Sequence, residues 1–267
     1  MLAAVGASAV VGTAAGARRP APRDDGLTLR VRVYADDRAG WSEPMRAAAD
    51  AVSTGLSELA GGVARHLDRP VATDVRRGPP APRSALDYGS QDALLDSLRD
   101  WLDATDAPEG PVGHLLLADA PLNPSLGYGG TATHVAADRL GGRTVVNVGA
   151  TEGFDSRAVT RAMAVHETLH TLVLPSDATA VNGSRCEHDL GAVARLELGR
   201  VVVTPLATSY AASGPGETSF HGTGCYDHDS FSLHDAALPD DRLRWHHTVT
   251  PSEATKQAVA RYVDRSL

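Results

Sequence analysis

Residues 164–170 read AVHETLH. Two histidines, His166 and His170, stand four apart, and Glu167 follows the first directly. The surrounding residues 155–173 carry apolar side chains at Val159, Ala162, Met163, Leu169 and Val173, which at 3.6 residues per turn make one stripe of an amphipathic helix. His166 lies seven residues after Val159 and His170 seven after Met163, so both continue the buried stripe. At i and i+4 they stack one above the other on one face. Two imidazole nitrogens so placed can bind one Zn²⁺ at about 2.0–2.1 Å each. Glu167 is rotated by about 100° from His166, which takes it off the metal but leaves it in reach of a water on the metal, where a carboxylate can accept and return a proton. With eleven His and nine Glu in 267 residues, a chance H-E-x-x-H has a likelihood on the order of one or two in a hundred.

The chain before this helix alternates strand and helix. LTLRVRVYAD at 27–36 alternates apolar and polar residues and reads as a strand. Residues 43–67 read as a helix with Ser42 as N-cap and Pro44 in its first turn. A short strand follows at 71–78, then a PPAPR loop at 79–83. A second helix, capped by Ser90, spans 90–105. Strands are expected at 112–121 and 143–150, separated by the glycine-rich loop NPSLGYGGTAT at 123–133. After residue 173 the chain is rich in Gly, Ser, Asp and His, with a strand expected at 200–204 and a last helix near 252–264. There is no internal repeat and no long linker. Residues 26–267 are therefore expected to form one domain of α+β class, with an α/β-type front half and an irregular, loop-rich C-terminal part.

Length and composition suit a buried core: 42% apolar and 22% charged residues are ordinary for a globular chain. The net charge of −8 and the lack of a basic stripe argue against a nucleic-acid partner. Arg outnumbers Lys 24 to 1, Lys256 being the lysine. Residues 1–16 are small and apolar and lead into TAAGA at 13–17, the composition of a secretory signal's apolar region and cleavage zone. Residues 1–25 are accordingly expected to be a signal remnant and flexible leader, and the protein to be secreted. No segment is long and apolar enough for a comfortable membrane span. In an exported protein the two cysteines, Cys186 and Cys225, are expected to form one disulfide.

On His166, Glu167 and His170 the sequence resembles the zincin metallopeptidases, and the looser resemblance runs through about residues 112–191 as strand, glycine-rich loop, strand and helix. It implies a zincin-like mixed twisted sheet with an active-site helix. It also implies one catalytic Zn²⁺ and a peptide or protein substrate that pairs with an edge strand within 124–136. Hydrolysis then runs through a water activated by Glu167. The chain departs from the extended metzincin pattern H-E-x-x-H-x-x-G-x-x-H: Val173 stands at the glycine position and Ser176 at the third histidine.

A hydrolytic zinc site uses three protein ligands and an open position. CEHDLG at 186–191 offers the third. His188 is preferred, since three neutral imidazoles keep the metal strongly Lewis acidic while Glu187 or Asp189 orients an imidazole from behind. Glu187 is the runner-up, and Asp177 stays a further alternative. HGTGCYDHDSFSLHD at 221–235 holds His221, His228 and His234, and a Cys186–Cys225 bridge would pin it beside His188. Tyr210, Tyr226 and His221 are the candidates for stabilising a developing oxyanion. TPLATSY at 204–210 lies where metzincins carry a methionine turn, with Leu206 and no methionine. A competing reading is a non-catalytic, zinc-stabilised binding protein on the same scaffold, its metal closed by four protein ligands; coordination number separates the two.

Overall fold

A computed structural model describes residues 26–38, 40–196, 200–208, 232–234 and 244–267. The fold is α+β with two sheets. In the larger, strands β1 (Leu27–Ala35), β2 (Val71–Arg77), β3 (Val112–Ala118), β4 (Gly129–Thr133) and β5 (Gly142–Asn147) lie in the order β2-β1-β3-β5-β4. The first four in that order run parallel, and β4 closes one edge antiparallel to β5. β3 is buried along its whole length, as a central parallel strand covered on both faces should be. Its alternate residues feed two cores. Leu115 and Leu117 pack with helices α1 (Glu43–Leu67), α4 (Arg157–His170) and α6 (Glu253–Ser266). Leu116 and Ala118 face α2 (Gln91–Ala104).

The caps expected from sequence at Ser42 and Ser90 are present, and Ser156 adds a third inside the stretch read as helix from residue 155. Ser42 Oγ accepts from Met45 N, Ser90 Oγ from Ala93 N and Ser156 Oγ from Val159 N. Each satisfies a first-turn N–H that has no partner within its helix. Between β5 and α4 the boundaries differ from expectation. The strand read as 143–150 stops at Asn147, whose Oδ1 accepts from Ala150 N and so starts a short helix, α3 (Val148–Phe154). The helix that carries His166 and His170, read as 155–173, ends at His170. Thr171 and Leu172 turn the chain, and Pro175 begins α5 (Pro175–Asn182). The glycine-rich stretch, read as loop from its composition, yields edge strand β4 from Gly129 onward, within the 124–136 where the resemblance to zincins implies an edge strand.

The C-terminal part contains a second sheet of short strands: β6 (Ala192–Leu196), β7 (Arg200–Val203), β8 (Leu233–His234) and β9 (Arg244–His247), in the order β8-β6-β7-β9. Of these only the neighbourhood of β7 was expected. After β7 a 3-10 turn, Pro205–Ala207, runs under α4 with Leu206 buried. Among the described residues no helix is long and apolar enough to cross a membrane.

Candidate metal centre

The buried stripe of α4 carries His166 and His170 inward, with His166 only 1% exposed. A 3-10 turn, Glu187–Leu190, follows Cys186 and brings His188 in from the other side. The three rings meet through their Nε2 atoms: His170 Nε2 lies 3.1 Å from His166 Nε2 and 3.1 Å from His188 Nε2. Their metal-ligating atoms all fall within 4.8 Å of one another.

What lies behind each ring decides which nitrogen faces inward. His166 Nδ1 donates to the Pro205 carbonyl at 2.8 Å. A carbonyl can only accept, so the proton sits on Nδ1 and the Nε2 lone pair points into the cluster. His170 Nδ1 donates to Glu187 Oε2 at 2.5 Å, with the same consequence for its Nε2. His188 Nδ1 lies 3.8 Å from Cys186 Sγ. Lone pairs converging at this range repel unless a cation or proton lies between them. Tetrahedral zinc with ligands at about 2.0–2.1 Å places neighbouring nitrogens about 3.3–3.4 Å apart, close to the spacing here. Three imidazoles with two held in the metal-binding tautomer are therefore a donor set that fits Zn²⁺.

Glu167 is 4% exposed, and its carboxylate is gripped from the sheet side. Thr131 Oγ1 lies 3.1 Å from Glu167 Oε2 and 2.8 Å from Thr144 Oγ1. Gly129 makes room for the carboxylate: a Cβ there would stand 2.8 Å from Glu167 Oε1. Burial pushes Glu167 up to about 7, against the opposing pull of His170 and the two threonine hydroxyls. Burial, with the nearby His170, pushes His166 down to about 3. Burial also pulls on His170, but the hydrogen bond and charge of Glu187, with the charge of Glu167, outweigh it and raise it.

Glu167 and the three histidines line one open cleft of about 350 Å³, together with Gln91, Gly129–Thr133, His134, Pro175 and Glu187. The outer margin of β4 borders it, with backbone groups that no other strand among the described residues pairs. Glu187, the alternative third ligand, sits behind His170 rather than at the point where the rings meet. Asp177 is turned away: its carboxylate pairs with Arg265 at 2.9 Å and accepts from Leu174 N, capping α5. The segment after β7 does lie under the site, through the Pro205 carbonyl. Tyr210, Tyr226, His221, His228 and Cys225 fall outside the described residues, and so does the Cys186–Cys225 pairing. Sequence reasoning missed Gln91, Thr131, Thr144, His134 and Pro205. The paired glycines of GYGGTAT were the signal available, because such residues mark close approach to a backbone.

No family model matches the chain, and no curated protein does. Among solved structures it is similar to metalloproteinase-II from Bacteroides fragilis, with a TM-score of 0.39 and 17% identity over 55% of this chain and 43% of that one. It is also similar to a chain in a structure of a chaperone–substrate complex, with a TM-score of 0.38 and 14% identity over 89% of this chain and 35% of that one. The chain thus spans less than half the length of either. A metalloproteinase is a distant structural neighbour.

Proposed function

We propose that the protein is a zinc-dependent peptidase in which His166, His170 and His188 hold one Zn²⁺ and Glu167 is the proton carrier. The observation that carries this reading is the convergence of three imidazole Nε2 atoms in a cleft that also holds a buried carboxylate and borders a strand edge that no other described strand pairs. Zinc, when bound, supplies a Lewis acid that acidifies water and polarises a carbonyl. The remaining work belongs to the chain. Glu167, buried beside the three imidazoles, would accept a proton from the attacking water and deliver it to the leaving amine. Thr131 and Thr144 keep its carboxylate from swinging. Glu187 and the Pro205 carbonyl hold two imidazoles in register. β4 offers backbone donors and acceptors to an extended peptide.

The experiment is Glu167→Gln in the full chain, assayed for zinc content and for cleavage of fluorescein-labelled casein. Retained zinc with hydrolysis lost is expected. A variant as active as the wild type refutes Glu167 as proton carrier. The binding-protein alternative needs a fourth protein ligand, and among the described residues Glu187 is already engaged by His170. Three protein ligands by X-ray absorption supports the peptidase; four supports the binder.

We also propose export and a Cys186–Cys225 disulfide, from the signal-like start and the two-cysteine count. Intact mass before and after reduction checks the bridge. The unreduced chain should be lighter by two hydrogens, and an equal mass rules the bridge out.

A further inference from the structure

Gln91 begins α2, on the face of the large sheet opposite to α4, yet its side chain lines the same cleft as Glu167 and the three histidines. It reaches there by crossing Gly130. A Cβ on Gly130 would stand 1.8 Å from Gln91 Nε2 and 2.1 Å from its Cδ, so the carboxamide lies flat where a side chain would otherwise project. Successive residues of a strand face opposite ways. Gly129 therefore opens the α4 side of β4 to Glu167, and Gly130 opens the α2 side to Gln91. The two glycines let functional groups from both faces of the sheet close on one strand edge.

Gln91 is also rigidly based. Its N–H donates to Ser125 O at 2.9 Å, and Ser90 caps the turn it opens. Its carboxamide, in contrast, makes no hydrogen bond to any described residue. A carboxamide carries two donors and one acceptor, the complement of a peptide unit. It adds binding capacity without adding charge to a cleft that already holds Glu167 and Glu187.

We propose that Gln91 is a substrate-contacting residue whose carboxamide hydrogen-bonds the main chain of an extended peptide lying along β4, from the α2 side. This rests on the peptidase reading. Because the contact is to main-chain atoms, it acts on every substrate alike rather than selecting a side chain, and it requires a chain segment free of helix or sheet.

The test uses the zinc-loaded full chain, with Gln91→Ala and Gln91→Leu. Substrates are fluorescein-labelled casein and a fluorogenic peptide spanning one of its mapped cleavage points. Loss of the hydrogen bonds should lower kcat/KM by about 5- to 30-fold. The loss should fall on KM, with kcat within about twofold. Inhibition by a tripeptide hydroxamate should weaken by a similar factor, while acetohydroxamate, which has no main chain to hold, inhibits as before. Zinc content and Tm should not move. If the wild type cleaves casein and both variants match its KM, the inference is overturned and the peptidase reading stands. A parallel fall in zinc content, Tm and kcat would make Gln91 a structural residue and overturn it too. A zinc-loaded wild type that cleaves nothing overturns both.

Discussion

Replacing Glu187 separates its role behind His170 from a role on the metal. Its carboxylate accepts from His170 Nδ1 at 2.5 Å, and the two side chains are only 14% and 15% exposed. In that partly desolvated setting the bond does two things. It fixes the proton on Nδ1, so the Nε2 lone pair faces His166 and His188, and it places a negative charge behind the ring that makes Nε2 a stronger donor. In Glu187→Ala both are lost, and some of the His170 population adopts the other tautomer. Losses of this kind typically weaken metal affinity about 10- to 100-fold, equivalent to about 1.4–2.7 kcal/mol. Glu187→Gln keeps an acceptor in place and removes the charge, so it should sit at the mild end, about tenfold. His188→Ala, which removes one of three nitrogens, should lose far more than either. Competition for zinc against a chromophoric chelator at constant pH measures all three. Wild-type affinity in Glu187→Ala refutes the orienting role. A loss as deep as that of His188→Ala would place Glu187 on the metal itself.

Gly129→Ala should disable the site without emptying it. The new Cβ would stand 2.7 Å from Val145 O and 2.8 Å from Glu167 Oε1, so the strand or the carboxylate must shift. Casein cleavage should fall at least about tenfold at unchanged zinc content, with a stability loss of about 1–3 kcal/mol by urea unfolding. Thr131→Val removes the hydroxyl 3.1 Å from Glu167 Oε2. It should lower kcat by about 3- to 10-fold and leave zinc affinity alone; an unchanged kcat removes the threonine from the machinery. Acid stability tests the buried His114, whose Nδ1 meets Tyr34 Oη at 2.9 Å between the cations Arg32 and Arg143 of the neighbouring strands. Burial pushes it from 6.5 down to about 4, outweighing the Pro108 carbonyl. Protonation therefore favours the unfolded chain. His114's contribution is complete above about pH 6.5 and lost as pH falls toward 4, a drop of about 3 kcal/mol. His114→Gln should flatten the fall in urea midpoint across that window, and an unaltered slope would show that His114 does not control it.

Much of the frame was legible along the chain because its causes are local. Ser42 and Ser90 cap helices by contacts three residues away, and the largely apolar VGHLLLA run marks a strand. The inward phase of His166 and His170 follows from the periodicity of α4. Where local signals competed, sequence misread the boundaries. VVNVGA looks like strand throughout, yet Asn147 caps a helix inside it. Of the second sheet only the apolar run of β7 was legible, because its partner β9 lies some forty residues of polar chain away and is not strongly patterned.

The site divides in the same way. That two histidines and a glutamate share one helix could be read along the chain, since the i to i+4 spacing is a property of the helix. The sequence left the third partner open among His188, Glu187 and Asp177, because no local period links residue 170 to residues 177–188. Packing between distant segments set their places. The 3-10 turn at Glu187–Leu190 points adjacent side chains to different atoms of the cluster, His188 to the point where the rings meet and Glu187 to the back of His170. Arg265, far along the chain, engages Asp177 in an ion pair. Gln91 and the Pro205 carbonyl enter from elements on opposite sides of α4 and β4, brought there by core packing between segments distant in sequence.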